Sequence, residues 1–489
     1  MSAPTFAVPP EAATGHPRRW LALGVLALAQ LMVVLDATIV NIALPNAQAA
    51  LHITDANRQW MVTAYTLTFG GLLLLGGRIA DYWGRKRTFI VGAIGFALAS
   101  AVGGLAQNGE TLFAARASQG AFGALLAPAG LALLTVMFVE AKERAKAFAV
   151  YGAIAGGGAA VGLLLGGVLT QYANWRWCLL VNVPVALFAI AAARAILVES
   201  RAQGSTKYDV PGALTVTAGL VSLVYGFTKA AIDGWSSAGA LSFIGVGVVL
   251  LGVFVVIELR TPQPLLPLRI PLHRSRGGAF LASTLVGAGL LGSFLFLTYY
   301  FQAVLLFSPL RSGLASLPVT AGVFAAAGAA SALVPRLGAK PLMVAGTILA
   351  AVGMFSMTGI GVDTSYPTHV LPGLLVMGLG MGFAFVPLSS LALIGVPEQD
   401  AGAASATLNA TQQVGASLGV ALLNTFFTTA VASYLTGHPG PARVAQAHAL
   451  VHGTVVAFRW GAAILLIAGL VSLLLIKPDK PDRAIVPVP

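Results

Sequence analysis

The chain has few charged residues and almost no cysteine. Only 9% of its 489 residues are Asp, Glu, Lys or Arg, whereas soluble domains carry about 25%, so a soluble globular protein is excluded. The one cysteine, Cys178, excludes an internal disulfide and a cysteine-based metal site. The histidines lack the spacing of a metal site, so no metal is predicted. The sequence also lacks a G-x-x-x-x-G-K-[ST] loop, so we expect an ion gradient, and no cofactor, as the source of energy.

Long apolar runs make up most of the chain. Hydrophobic residues make up 57% of the chain, and a run of about 18 to 20 crosses a bilayer as a helix. Runs of this length predict fourteen membrane-spanning helices, near residues 20–44, 57–79, 87–106, 111–138, 146–170, 177–197, 210–230, 238–258, 278–302, 313–334, 341–360, 370–395, 402–431 and 455–476. Because the number is even, both ends of the chain are expected on the same side.

The basic residues indicate which side that is. Most of the 28 Lys and Arg residues fall in segments that this count places together with the chain ends, while Arg58 is among the few on the opposite side. Cytoplasmic loops carry such an excess, so we expect a multi-pass protein of a bacterial inner (plasma) membrane with both termini cytoplasmic. The same rule accounts for the net charge of +12, and no nucleic-acid partner is expected.

Two polar linkers and an internal repeat divide the chain. The expected units are a cytoplasmic tail at 1–19, a six-helix bundle at 20–197, linkers with two inserted helices at 198–277, a second six-helix bundle at 278–476, and a tail at 477–489. At one constant offset, Gly84, Lys86 and Gly92 of the first bundle match Gly338, Lys340 and Gly346 of the second. Two halves built alike are typical of secondary transporters.

One acid lies deep in the first predicted helix. Asp36 is the single ionisable residue between Trp20 and Leu44, and a carboxylate within a bilayer costs at least about 2.5–3.5 kcal/mol. With a rise of about 1.5 Å per residue, the arginine of the fourth helix, Arg116, lies at a similar depth. Burial favours a neutral acid, and a nearby cation favours a carboxylate. We hypothesise that Asp36 accepts a proton and Arg116 tunes it; a permanent ion pair that fixes helix packing is the alternative.

The loop after the second helix has a specific spacing, G-x-x-x-D-x-x-G-R-K-R. It contains Gly77, Asp81, Gly84, Arg85, Lys86 and Arg87. Glycine permits a tight turn, and Asp81 is expected to pair with a nearby base and to cap a helix N-terminus. The loop closely resembles the signature of the major facilitator superfamily, in which it latches the cytoplasmic side of the outward-open state. The resemblance implies an all-α polytopic membrane protein with two pseudosymmetric six-helix bundles.

Further segments resemble the fourteen-span drug:proton antiporter branch of that family. They are Leu35–Pro45, Trp175–Arg176–Trp177 with Asn182–Val183–Pro184, and residues 402–415. Arg116 lies in a segment similar to the family motif associated with proton coupling. The fifth helix resembles the antiporter motif through Gly158, Gly162, Gly166 and Gly167, although Leu163 stands where proline is usual.

Polar and aromatic residues on otherwise apolar helices are candidates for lining a substrate cavity. They are Gln30, Asn41, Tyr65, Tyr299, Tyr300, Gln302, Asn409, Gln412 and Gln413. The alternative for each is a hydrogen bond between helices, and Tyr299 with Tyr300 could instead form an aromatic belt at the membrane surface.

These observations favour a proton-coupled antiporter that exports hydrophobic or amphipathic small molecules, such as drugs or antibiotics, by alternating access. With Asp36 as the one acid deep in a span, a neutral or singly charged substrate fits better than a dication. Expected partners are this small molecule, protons and the lipid bilayer, and the protein is expected to be a monomer. A proton-coupled nutrient importer or a lipid flippase remains open, because fold alone does not fix function. An enzyme is not expected, since no nucleophile–base cluster or soluble domain is visible.

Overall fold

The computed structural model describes residues 18–54, 57–138, 140–201, 209–262, 264–393, 396, 401–438 and 441–477, and within these ranges the regular structure is entirely helical. Of the predicted tails at 1–19 and 477–489, residues 1–17 and 478–489 lie outside the described residues. The helices are α1 Arg19–Ala50, α2 Trp60–Trp83, α3 Arg85–Gly104, α4 Gly109–Met137, α5 Ala141–Tyr172, α6 Trp177–Leu180, α7 Asn182–Ile196, α8 Val210–Asp233, α9 Ala238–Arg260, α10 Arg274–Val286, α11 Gly292–Tyr299, α12 Pro309–Leu337, α13 Ala339–Ser356, α14 Leu371–Leu393, α15 Ala401–Gly437 and α16 Ala442–Leu475.

Twelve helical segments of the described chain are long and apolar enough to cross a membrane. The bent helix α2, which turns by 52° between Trp60–Leu73 and Leu75–Trp83, raises this number to thirteen. In α5, the apolar part among the described residues is the shorter stretch Ala160–Tyr172. The fourteen predicted spans therefore stay a prediction.

The helices have two distinct ends. We call the end at which α1 begins and α16 ends the terminal side, and the opposite end the far side. On the terminal side, Arg19 forms an ion pair with Glu143 at 2.6 Å, and the backbone N–H of Lys477 donates to Ser275. By the positive-inside rule, the terminal side corresponds to the predicted cytoplasmic face.

Glycines at equivalent positions support the internal repeat. Gly84 separates α2 from α3 with φ of +120°, and Gly338 separates α12 from α13 with φ of +83°, a region that glycine enters without steric cost. Gly92 lies against the backbone of α4 at Leu126, as Gly346 lies against α14 at Ala384. The two halves therefore build the same break and the same close helix contact.

The apolar core has a different arrangement on the two sides. On the far side, one buried cluster joins residues of α1 and α2 to residues of α11 and α14–α16, for example Ile39 and Met61 with Phe296 and Phe427. Nearer the terminal side, a cluster around Phe89 belongs to the first half alone, and a separate small cluster around Met343 belongs to the second. The two halves are thus packed together mainly on the far side.

The helices between the halves lie at the edge of this interface. α8 packs against α9 and also against both α2 and α15, so it contacts the two halves at once. α9 exposes most of its apolar surface, including Leu241, Val249 and Val253, as expected of a helix that faces lipid. A cluster of Phe254, Leu265 and Ile270 connects α9 to the linker that follows it.

Candidate functional site

The carboxylate of Asp36 is completely enclosed between helices of the first half. Its exposed fraction is 0%. Oδ2 accepts from Nη1 of Arg116 on α4 at 2.5 Å. Oδ1 accepts from Nε2 of Gln119 at 2.9 Å and from Nδ2 of Asn182, near the start of α7, at 2.8 Å. Because every one of these partners donates, the arrangement suits the anionic carboxylate.

Arg116 is held in place by more than its ion pair. Its Nε donates to the carbonyl of Met61, near the start of α2, at 3.0 Å. Nη1 also donates to Oε1 of Gln119 at 3.0 Å, and the guanidinium lies 4.5 Å from the centre of the Tyr65 ring. The side chain is 1% exposed. Buried charges need this kind of compensation, since removing one partner leaves the other uncompensated.

Three members of this network were not predicted from the sequence. Gln119 and Asn182 lie in segments that the sequence indicates only as family signatures, and Ser100 lies in no such segment. Oγ of Ser100 accepts from Nε2 of Gln119 at 2.7 Å and from Nδ2 of Asn182 at 3.4 Å. A usable signal for Gln119 was present, because residues three apart on a helix lie on the same face and Arg116 precedes it by three.

The glycines of α5 bring this helix against the one that carries Asp36. A Cβ on Gly158 would lie 3.0 Å from Cγ1 of Val34, and one on Gly162 would overlap Oγ1 of Thr38. On Gly166 a Cβ would lie 2.9 Å from the carbonyl oxygen of Ile39. These contacts lie before and after Asp36 on α1, so the glycines set the position of the acid. Gly167 instead faces Leu310 of the second half, where a Cβ would lie 2.7 Å from its Cα.

The signature loop docks onto the segment that follows α7. Glu199 accepts from the backbone N–H groups of Lys86 and Arg87 at 3.1 and 3.2 Å and lies 3.6 Å from Nε of Arg87. Gly84 leaves room for this carboxylate because it has no Cβ; a Cβ there would lie 2.5 Å from it. Gly77 faces Pro128 of α4.

Asp81 pairs with Arg85 at 3.0 Å across the Gly84 turn. This confirms the expected partner but not the expected cap, because Asp81 lies in the last turns of α2 and not at a helix N-terminus.

Arg58 crosses the interface between the two halves on the far side. It precedes α2, is 1% exposed, and lies 4.3 Å from the centre of the Tyr299 ring and 4.8 Å from that of Phe427. Its Nη2 donates to Oδ1 of Asn424 at 3.3 Å. From the sequence, Arg58 has no expected role beyond its place opposite the chain ends, because a basic residue between two helices is usually a solvated loop residue.

Other hydrogen bonds join the halves in the same region. Nε2 of Gln302 donates to the carbonyl of Ile42 at 2.9 Å, and the hydroxyl of Tyr299 donates to Oε1 of Gln48. Oγ1 of Thr66 and Oγ of Ser417 lie 3.0 Å apart. The described structure is therefore closed by specific polar contacts on the far side.

Two predicted cavity residues line a cavity on this side. Tyr299 and Gln302 border a space of about 660 Å³ between α1 and the end of the ninth predicted span, and this space is largely open at the far-side surface. Its other lining residues are uncharged apart from the ionisable His52, namely Pro45, Asn46, Gln48, Ala49, Ile53, Ala303, Phe307 and Pro309. Tyr299 is 8% exposed, so the aromatic-belt alternative does not describe it.

The remaining candidates have other surroundings. Tyr65 lies under Arg116, as described, and Tyr300 is buried in the second half, where its hydroxyl donates to the carbonyl of Gly361 at 2.9 Å. Gln30 accepts from the hydroxyl of Tyr151 at 2.7 Å, and Asn41 donates to its own helix at Ala37.

The candidates on α15 have three different surroundings. Gln413 packs against Gly70 of α2, and Gln412 presents its backbone carbonyl to Gly287. Asn409 is exposed. The groups of three or more His, Cys, Asp or Glu side chains that a metal site needs do not occur in the part of the chain that the structure describes.

Comparisons with known proteins agree with this architecture. Solved transporters share the fold at low sequence identity. One is the peptide transporter PepTSo of the POT family, with a TM-score of 0.69, 14% identity, and coverage of 94% of this chain and 98% of that one. Another is a bacterial homologue of the human lysosomal transporter Spinster, with a TM-score of 0.62, 16% identity, and coverage of 96% and 100%.

Relatives of higher identity carry names related to resistance and export. The puromycin resistance protein pur8 of Streptomyces alboniger is 48% identical over 96% of this chain and 94% of its own length. The cephamycin export protein CmcT of Amycolatopsis lactamdurans is 37% identical over 86% and 88%. The multidrug efflux pump LfrA of Mycolicibacterium smegmatis is 32% identical over 84% and 81%. The sequence profile of the Major Facilitator Superfamily matches residues 26–420, and the chain belongs to this superfamily of membrane transporters.

Proposed function

We propose that the protein exports hydrophobic or amphipathic small molecules, antibiotics among them, in exchange for protons. The observation that carries the proposal is the buried Asp36, held by Arg116, Gln119 and Asn182. An ionisable group within a membrane helix marks an ion pathway or a proton relay more often than a structural pair. Relatives named for resistance to puromycin and export of cephamycin support the direction and the substrate class.

The coupling step is a change in the charge of Asp36. As an anion, the carboxylate holds Arg116 through an ion pair between fully buried groups. When Asp36 takes up a proton, the attraction between the two side chains falls, and the guanidinium depends more on the carbonyl of Met61 and the ring of Tyr65. Protonation therefore moves Arg116 relative to α1.

The start of α2 carries this movement to the interface. Met61, which accepts from Arg116, lies three residues after Arg58, and Arg58 contacts Tyr299 and Asn424 of the second half. A shift of Arg116 thus acts on the segment that closes the far side. In this scheme, proton uptake at Asp36 accompanies a rearrangement of the two halves, as alternating access requires.

The cavity between the halves favours an uncharged or singly charged substrate. Its described lining combines the aromatic rings of Tyr299 and Phe307 with the amides of Gln48 and Gln302 and contains no carboxylate. A site for a strongly dicationic compound would need buried acids to compensate the charge. Pockets with aromatic walls and a few polar groups are typical of small amphipathic ligands.

Inside-out membrane vesicles test the direction and the driving force together. We expect vesicles that contain the protein and have an acidified lumen to accumulate labelled puromycin, and a proton uncoupler to abolish the accumulation. Vesicles without the protein are the control. Accumulation that an uncoupler leaves unchanged would contradict proton coupling, and puromycin release from preloaded vesicles against its gradient would indicate an importer.

A further inference from the structure

A second pair of ionisable groups lies far from Asp36, where the inserted helices meet on the terminal side. Asp209 is the N-cap of α8, and its Oδ1 accepts from the backbone N–H of Gly212 at 2.8 Å. Glu258 is in the last turn of α9, and its Oε2 accepts from the backbone N–H of Leu266 at 3.0 Å. Both side chains are buried, with exposed fractions of 8% and 4%. Glu258 is thus a second buried acid on an apolar helix.

The second oxygen of each group is the informative one. Oδ2 of Asp209 and Oε1 of Glu258 are fully buried and have no hydrogen-bond partner among the described residues as long as both groups are ionised, and the two carboxyl groups lie within hydrogen-bonding reach of each other. Two adjacent carboxylates without water repel, and each also loses its hydration. A proton on either of them replaces the repulsion by an O–H···O hydrogen bond and gives both oxygens a partner.

The neighbouring cations contact the backbone of the linker. Nη2 of Arg78 on α2 donates to the carbonyls of Pro264 and Leu265 at 3.4 and 3.5 Å. Nε of Arg276 on α10 donates to the carbonyl of Ile270 at 3.3 Å, and Arg260 at the end of α9 is exposed. Apolar side chains, such as Val216 and Phe254, fill the rest of the surroundings.

We propose that Asp209 and Glu258 form a proton-binding site that holds one proton between Oδ2 and Oε1. The bound proton joins the N-terminus of α8 to the last turn of α9. It also maintains the hydrogen bond that the backbone N–H of Leu266 donates to Glu258. Through residues 264–266 the pair is connected to Arg78 of the signature loop, and through α8 it is connected to both α2 and α15. Loss of the proton would place two negative charges side by side and loosen the inserted helices from the interface.

Infrared spectroscopy of the purified full-length protein in lipid nanodiscs tests the site directly. The carbonyl stretch of a protonated carboxylic acid is distinct from that of a carboxylate and shifts in heavy water. We expect such a band in the wild type, its loss in Glu258→Gln, and its persistence in Asp36→Asn. The side-chain amide introduced by Glu258→Gln can donate to Oδ2 of Asp209, so this variant is expected to fold, with a thermal unfolding temperature close to that of the wild type.

The variant Asp209→Asn and a titration with sodium test the carboxyl pair independently of Glu258→Gln. Asp209→Asn retains an N-cap residue and is expected to abolish the band as well, so a folding failure of one variant does not decide the outcome. A carboxylic band that is identical in the wild type, Glu258→Gln and Asp209→Asn would overturn the proposal. Absence of the band from the folded wild type would also overturn it, and stabilisation of the wild type, but not of Glu258→Gln, by sodium would then assign the site to a metal cation.

Discussion

The guanidinium of Arg58 lies 4.3 Å from the centre of the Tyr299 ring, and the two residues belong to different halves of the protein. The centre of the Phe427 ring lies 4.8 Å from the same guanidinium, and Asn424 accepts a hydrogen bond from it. The charge is buried, so the far side opens only if these contacts separate. In the proposed alternating-access scheme, Arg58 therefore contributes to the equilibrium between the closed and open far side.

Replacement of Arg58 by Gln is expected to open the far side more often. A desolvated cation–π contact is worth about 2 kcal/mol, which corresponds to about a thirty-fold change in an equilibrium constant. The measurement is the labelling rate, by a membrane-impermeant maleimide, of a cysteine that replaces Ser417, which is buried between the halves at 1% exposure. The natural Cys178 is buried and provides a low background.

Arg311→Gln is the matched control for this experiment. Arg311 stacks on Phe307 at 4.0 Å, but it is exposed and both residues belong to the second half, so no change in labelling is expected. Equal acceleration in the two variants would contradict a specific role of Arg58.

Gly162→Ala is expected to displace α5 from α1. The added Cβ would overlap Oγ1 of Thr38 and lie 3.2 Å from the carbonyl oxygen of Leu35, and overpacking of this kind costs about 1–3 kcal/mol. Thermal unfolding of the purified protein should show a lower midpoint, with partial recovery in Gly162→Ala/Thr38→Ala. The control is Gly24→Ala on α1, which meets nothing within 4 Å and should be neutral or stabilising. A loss of stability in Gly24→Ala that equals that in Gly162→Ala would rule out the packing explanation.

Gly84→Ala is expected to weaken the docking of the signature loop. Its φ of +120° is unfavourable for alanine, and the new Cβ would also lie 2.5 Å from Glu199. Gly234 has φ of +95° but open space around it, so Gly234→Ala measures the backbone cost alone. For each variant, the measurement is the rate of proteolysis at the substituted loop. This rate should increase more in Gly84→Ala than in Gly234→Ala, and the reverse order would show that the contact with Glu199 contributes nothing.

Residues of the far-side cavity are expected to affect substrate preference. Tyr299→Ala removes an aromatic wall of the 660 Å³ space and should raise the KM for bulky aromatic compounds several-fold while sparing smaller ones. Tyr300→Phe is the control, since it loses only a hydroxyl that binds Gly361 within the second half, at a cost of about 1 kcal/mol in stability. Efflux assays with a panel of antibiotics compare the two, and unchanged preference in Tyr299→Ala would exclude this cavity as a substrate site.

The sequence predicted those features that depend on the period of a helix and on the cost of burying charge in lipid. The position of the apolar helices and the similar depth of Asp36 and Arg116 follow from the rise of a helix and the cost of a bare charge. The repeat was visible as well, because Gly84 and Gly338 each serve a turn that another residue would strain. Local rules of this kind act on residues that are close in sequence.

Contacts between distant segments were not predictable in the same way. Ser100 and Asn182 reach the Asp36 network from other helices, and a lone serine or asparagine gives no sign of its partner. Arg58 lies in the turn before α2, and its contacts with Tyr299 and Phe427 come from the second half. The pairing of Asp209 with Glu258 likewise depends on how α8 and α9 pack. These relationships exist only in the assembled structure.

The central claim is that Asp36 carries the proton and does not merely hold Arg116. Transport driven by an imposed pH gradient in proteoliposomes tests it most directly, with the double variant Asp36→Asn/Arg116→Gln, which removes both charges and leaves neither uncompensated. We predict that a pH gradient accelerates substrate transport by the wild type and has no effect on the folded double variant. Acceleration of the double variant to the wild-type rate would contradict the account and assign the pair a purely structural role.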